Sequence, residues 1–193
     1  MKIISGCAAN LELSAPAGEI VRPTLGRTRK ALFDHLGDFN DLHVLDLCAG
    51  AGGLGLESAS RGAAKVVAVE KVPGHCELIL QNWEKVRCTG CTARFELVCG
   101  DVLDTGRYAA MMDKCDLILA DPPYDISAEI FGRLLADSTF CRFAADALIV
   151  WEVPDYPGAA GEFMEKCAEL ADFEIRRFGV TVFLEARLNQ AEV

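Results

Sequence analysis

Between His43 and Glu152, short runs rich in β-branched residues alternate with helical stretches, and this alternation constrains the fold more than any other feature of the chain. The runs cover residues 43–47, 65–69, 95–98, 116–120 and 147–152. Strands separated by helices pair through crossover connections, so the expectation is an α/β fold: a mostly parallel sheet with helices on both faces. The tail departs from this rule. Residues 173–177 and 181–187 are strand-like with only Gly179 and its neighbours between them, too few for a crossover helix, which predicts an antiparallel hairpin at the sheet edge. Between the second and third runs, Cys76, Ile79, Leu80 and Trp83 fall at i, i+3, i+4 and i+7, the spacing of a helix with one apolar face on the sheet. At the start, residues 2–5 and 11–13 read as a strand pair. Pro23 and Thr24 read as a helix start, with Thr24 as the N-cap and the helix reaching about Leu36. A length of 193 residues predicts one domain, with a strand pair and basic helix in residues 1–38 and the sheet-based core in 39–193.

Composition excludes several classes. With 51% hydrophobic and 25% charged residues the chain reads as globular. No apolar run approaches the roughly 18 residues of a membrane span, and the first ten residues lack the pattern of a signal peptide, so a soluble, cytoplasmic protein is expected. Nine cysteines, an odd number without regular spacing, read as reduced thiols rather than a disulfide framework. Cys88 and Cys91 have the gap of a zinc knuckle, but no second such pair follows, so no metal is expected.

The first run ends in Asp46-Leu47-Cys48-Ala49-Gly50-Ala51-Gly52-Gly53-Leu54-Gly55. Gly50, Gly52 and Gly55 satisfy a dinucleotide fingerprint, and Glu70 closes the second run about twenty residues later, as that fingerprint asks. Asp46 argues against a pyrophosphate, because a carboxylate at the carboxyl end of the first strand would repel a doubly charged group. It suits a cation. S-adenosylmethionine offers an ammonium and a sulfonium to Asp46, a carboxylate to the helix N-terminus, and a ribose diol to Glu70. Gly100-Asp101-Val102, after the third run, places another carboxylate where it can accept from an adenine amino group. The candidate cofactor set is Asp46, Ala49, Gly50, Gly52, Glu70, Lys71, Asp101, Val102 and Asp121.

The fourth run leads into Asp121-Pro122-Pro123-Tyr124. Two prolines give a rigid turn with few donors, leaving its carbonyls as acceptors. An exocyclic amine of a nucleobase is a poor nucleophile because its lone pair is delocalised into the ring. Accepting its two N–H bonds, with the Asp121 carboxylate and the Pro122 carbonyl, favours the pyramidal nitrogen that attacks a methyl group. Tyr124 is placed to stack on a flipped or single-stranded base. Asp121, Pro122 and Tyr124 are the catalytic candidates.

The net charge of −10 disfavours a polyanionic partner unless cations are concentrated somewhere. Arg22, Arg27, Arg29 and Lys30, with no acidic residue among them, form such a concentration, and without those four cations the remainder stands at −14. They are the candidate RNA-binding residues.

These motifs resemble the bacterial 16S ribosomal RNA guanine-N2 methyltransferases of the RsmD type, within the class I methyltransferases. The likeness is carried by Ile3-Ile4-Ser5-Gly6, Arg22-Pro23-Thr24 with Arg27 and Ala31-Leu32-Phe33, residues 45–47 through Gly55-Leu56-Glu57, Ser60-Arg61-Gly62-Ala63, Val69-Glu70-Lys71 and Asp121-Pro122-Pro123-Tyr124. The resemblance implies a Rossmann-like fold with seven strands and a reversed last pair, S-adenosylmethionine as donor, and a guanine of small-subunit RNA as acceptor. A monomer is expected. Residues 7–12 lack the family's basic run, Gly26 stands where an aspartate is usual, and Phe178-Gly179-Val180-Thr181 only partly matches the family's tail motif. Two other readings fit the same residues: methyl transfer to adenine in nucleic acid or to a protein glutamine, and binding of cofactor or RNA without turnover.

Overall fold

A computed structural model describes residues 1–16, 23–154, 158–167 and 171–189, and these form seven strands and seven helices. Five strands follow the alternation: β1 His43–Leu47, β2 Lys65–Glu70, β3 Arg94–Cys99, β4 Leu117–Ala120 and β5 Leu148–Val153. All neighbouring pairs among them are parallel. The last two, β6 Ala171–Phe178 and β7 Thr181–Leu188, form the expected antiparallel hairpin around Gly179-Val180, and β7 pairs antiparallel with β5. The order is β3-β2-β1-β4-β5-β7-β6. It reverses between β1 and β4, the switch point beside which open α/β sheets bind ligands.

The central strands β1, β2 and β4 are almost wholly buried, as parallel strands covered on both faces must be. Alternate residues serve two cores. Val44, Val66, Leu117, Leu119 and Val150 pack with Leu32 and Phe33 of helix α1 (Pro23–Leu36) and Ala59 of α2 (Gly53–Ser60). Leu45, Val67, Ile118, Ile149 and Trp151 meet the opposite layer, which includes Tyr108 of α4 (Thr105–Ala109), Phe131 of α5 (Ser127–Leu135), Phe140 of α6 (Ser138–Phe143) and Phe163 of α7 (Ala159–Cys167).

Three local expectations are corrected. Helix α1 begins at Pro23, so Thr24 lies inside its first turn and is not the N-cap. The opening strand pair is reduced to one bridge, Lys2 with Glu12, flanked by Ile3 N–H to Leu11 O and Leu13 N–H to Met1 O bonds. Helix α3 (Pro73–Arg87) buries Cys76, Ile79, Asn82 and Val86, while Leu80 is 49% exposed. The face is turned because the Asn82 amide lies inside it, accepting from Ser14 N–H at 2.8 Å and donating to the Ser14 and Ala51 carbonyls at 2.9 and 3.1 Å. A buried amide that serves three backbone groups outweighs the burial of one leucine.

The N-terminal segment is fastened to α2 as well. Glu57, fully buried, accepts from the Ile4 and Ser5 N–H groups at 2.7 and 3.1 Å and pairs with Arg61 at 2.8 Å. Arg61 also lies 5.1 Å from the Phe33 ring centroid. No helix among the described residues is long and apolar enough to cross a membrane.

Candidate active site

Register assembles the site at the carboxyl edge of the sheet. Leu47 of β1 lies between Val69 of β2 and Ala120 of β4, and Ala120 is opposite Trp151 of β5. The residues that follow these four are Cys48, Glu70, Asp121 and Glu152. Glu70 is itself paired with Cys99, two residues before Asp101. Four carboxylates thus stand along one edge, and with Asp46 they line a cavity of about 1170 Å³.

The chain leaves β1 through Cys48 with φ of 59°, uncommon for a residue with a side chain, and then turns at Gly50 and Gly52 with φ of 57° and 82°. Gly55 is held for a different reason. A Cβ there would stand 2.9 Å from Asp46 Oδ2 and 3.1 Å from Val66 Cγ1, so glycine lets α2 lie on β1. The Gly55 N–H donates to Asp46 Oδ2 at 2.7 Å. Asp46 is 1% exposed. Burial pushes its carboxyl up to about 7; the Gly55 bond opposes this, and the charges of Asp121 and Glu70 add to it.

Glu70 ties the loop to β2: its Oε2 accepts from Gly50 N–H at 2.7 Å and its Oε1 from Val72 N–H at 2.8 Å. These bonds fix the carboxylate plane, and each oxygen keeps further acceptor capacity. Asp101 bonds Lys71 Nζ at 2.8 Å and the Leu103 N–H at 3.0 Å. The Lys71 ammonium and the Leu103 N–H hold its carboxyl below the usual range. Ala49 and Val102 also line the cavity.

Across the cavity, Asp121, Pro122 and Pro123 form the turn after β4, and the Tyr124 hydroxyl donates to Glu152 Oε1 at 2.8 Å while the residue stays 54% exposed. Burial and the charge of Asp121 push the Glu152 carboxyl up to about 7, against the Tyr124 bond. The cofactor and catalytic candidates other than Gly52 therefore share one cavity; Gly52 is buried, a Cβ there standing 3.0 Å from Leu56 and 3.5 Å from Ile79, so it turns the loop without lining the cavity. Sequence reasoning passed over Glu152 and Cys48. Glu152 sits in a strand-like run, and only the adjacency of β4 and β5 brings it to Asp121.

The basic candidates divide. Arg22 lies outside the described residues. Arg27 is exposed at the cavity, and Lys30, also at the cavity, pairs with Asp34. Arg29 also lines the cavity, but its guanidinium is engaged: it bonds the Lys2 carbonyl, and burial lowers its pKa while the charge of Glu57 raises it. Cys88 caps α3 and Cys91 follows in the turn to β3; among the described residues no group of three or more His, Cys, Asp or Glu side chains could hold a metal ion.

The strand order, the reversed last strand and the edge cavity define a Rossmann-like class I methyltransferase fold. The chain belongs to the family described as conserved hypothetical protein 95, whose model matches residues 1–186. It is 39% identical over 72 residues to YlbH of Bacillus subtilis strain 168, whose name proposes an rRNA methyltransferase; the match spans 37% of this chain and 39% of that protein. It is 29% identical over 144 residues to ribosomal RNA small subunit methyltransferase D of Haemophilus influenzae, 74% of each protein. A solved hypothetical protein of Thermus thermophilus is 29% identical with a TM-score of 0.69, over 98% of this chain and 99% of that one.

Proposed function

We propose that this protein transfers the methyl group of S-adenosylmethionine to the exocyclic N2 amine of a guanine in small-subunit (16S) ribosomal RNA. The observation that carries the reading is the shared cavity that joins the glycine loop, Asp46 and Glu70 to the Asp121-Pro122-Pro123-Tyr124 turn. The names of the relatives point to the same substrate class.

The residues fit this cofactor better than a dinucleotide. Asp46, Glu70, Asp101 and Asp121 gather along the sheet edge of the cavity, which disfavours a pyrophosphate there and favours a cation, while Arg27, Lys30 and Arg133 are among the basic residues that line the cavity as well. Asp46 would face the cationic end and Glu70 the ribose diol, with Gly50 giving close backbone approach, Gly52 turning the loop behind it, Ala49 and Lys71 completing the wall, and Asp101 and Val102 beside the adenine. When bound, S-adenosylmethionine supplies an activated methyl group on sulfur. Asp121 and the Pro122 carbonyl accept the two N–H bonds of the amine and favour its pyramidal form. Tyr124 stacks on the base, and Arg27, exposed at the cavity, holds a backbone phosphate.

The Asp46 carboxyl gives this reading a pH signature. Burial pushes it up to about 7, and a cation beside it favours the ionised form. Cofactor binding near neutral pH should therefore release protons, and affinity should rise between about pH 6 and 8, then level off. Titration calorimetry in buffers of different ionisation enthalpy measures both. The Asp46→Ala and Glu70→Ala variants should bind at least roughly 10-fold more weakly, through lost charge-assisted bonds. Tight NADH binding, or pH-independent S-adenosylmethionine binding, would contradict the assignment.

A further inference from the structure

Glu152 performs no step in the mechanism above, yet it stands in the same cavity. It is almost fully buried, follows Trp151 at the carboxyl end of β5, and is bonded by the Tyr124 hydroxyl at 2.8 Å. A buried carboxylate beside Asp121 is costly unless something compensates it. One hydroxyl donor is little compensation, and the proximity of Asp121 makes the cost larger.

We propose that Glu152 is the residue that selects guanine, by accepting the N1–H of the base whose amine is held at Asp121 and Pro122. This inference rests on the guanine-amine reading and deepens it. The Asp-Pro-Pro-Tyr turn recognises an exocyclic amine and is blind to which base carries it. The ring nitrogen next to that amine differs between the two bases. In guanine, N1 beside the N2 amine carries a hydrogen and is a donor. In adenine, N1 beside the N6 amine is an acceptor. An ionised carboxylate is acceptor-only, so it pairs with guanine and repels adenine. The sheet places Glu152 for this role: Asp121 directly follows the end of β4 and Glu152 lies on the adjacent β5 just past Trp151, the partner of Ala120, so two acceptors at neighbouring strand ends meet two neighbouring donor positions on one base edge. The Tyr124 hydroxyl orients the carboxylate from the side of the ring that stacks.

The test uses the RNA segment that the wild-type protein methylates, synthesised with either guanosine or 2-aminopurine riboside at the target position and assayed at pH 8. 2-Aminopurine keeps the amine at C2, but its N1 is an acceptor. Wild type should prefer guanosine in kcat/KM by roughly 10-fold or more, since a site built to bond a donor rejects the analogue that lacks it. In Glu152→Gln the side-chain amide can donate to N1 of 2-aminopurine, so guanosine turnover should fall, 2-aminopurine turnover should rise, and the ratio should close or invert. Tyr124→Phe, which removes the hydroxyl but keeps the ring, should lower turnover while retaining a preference for guanosine. Equal losses on both substrates in Glu152→Gln, or a wild-type enzyme indifferent to the two bases, would overturn the proposal. Should Glu152→Gln fail to fold, Glu152→Asp, which keeps the carboxylate but draws it back from the base, should narrow the preference, and an unchanged preference in that variant would overturn the proposal. A wild-type protein that methylates no RNA guanine would instead overturn the underlying reading, a separate result visible before any variant is made.

Discussion

Asp121→Ala is expected to lower kcat by about 10² to 10³-fold while S-adenosylmethionine affinity changes by no more than a few fold. The asymmetry follows from where Asp121 acts. Its bond to the amine strengthens as the nitrogen pyramidalises, so it is worth most in the transition state, and its loss appears in turnover rather than in binding. Removing its charge also relieves the repulsion that helps raise Asp46, which favours the ionised Asp46 and keeps cofactor affinity from falling. Asp121→Asn keeps one amide oxygen as acceptor and should retain more activity than the alanine variant. Single-turnover kinetics beside calorimetry separates the two effects. A variant with unchanged turnover, or with kcat intact and only binding lost, would remove Asp121 from the chemistry.

The second large effect concerns stability. Glu57→Ala should destabilise the protein by about 2 to 4 kcal/mol, because it removes the acceptor of two backbone N–H groups and the 2.8 Å partner of the nearly buried Arg61 guanidinium, which keeps only Asp34 at 3.5 Å. The N-terminal segment is held by this carboxylate, by Ser60 and by Asn82, and it contributes Met1, Lys2, Ile3 and Ile4 to the cavity wall. Denaturant titration of the variant should give a lower midpoint, and hydrogen exchange at the Ile4 and Ser5 amides should lose protection. A stability within about 0.5 kcal/mol of wild type, the range of an ordinary surface substitution, would show that the segment is fastened by other contacts.

Much of this organisation was legible in the residues, and the remainder has physical reasons for being hidden. Strand runs such as 66–69 and 117–120 are continuous and apolar because both sheet faces are covered, and they stand out between helical stretches. Glycines at 50, 52 and 55 and the Asp-Pro-Pro-Tyr turn are local motifs whose backbone demands are written in sequence. Partners across elements are not. Leu80 fell on the expected core face of α3 because the groups that Asn82 satisfies lie 68 and 31 residues away. Arg29 and Lys30 counted as free cations, but the N-terminal segment takes one and Asp34 the other. Glu152 became visible only through the order of strands, which sets β5 beside β4.

The central claim is most directly tested by the identity of the methylated nucleoside. The protein should be incubated with S-adenosylmethionine bearing a deuterated methyl group and with small-subunit ribosomal RNA or the assembling particle, and the RNA digested to nucleosides for mass analysis, with the protein fraction analysed in parallel. The expected result is labelled N2-methylguanosine from one position, absent in Asp121→Ala. Label in methyladenosine or on a protein glutamine, or no transfer at all by a protein that binds the cofactor, would contradict it.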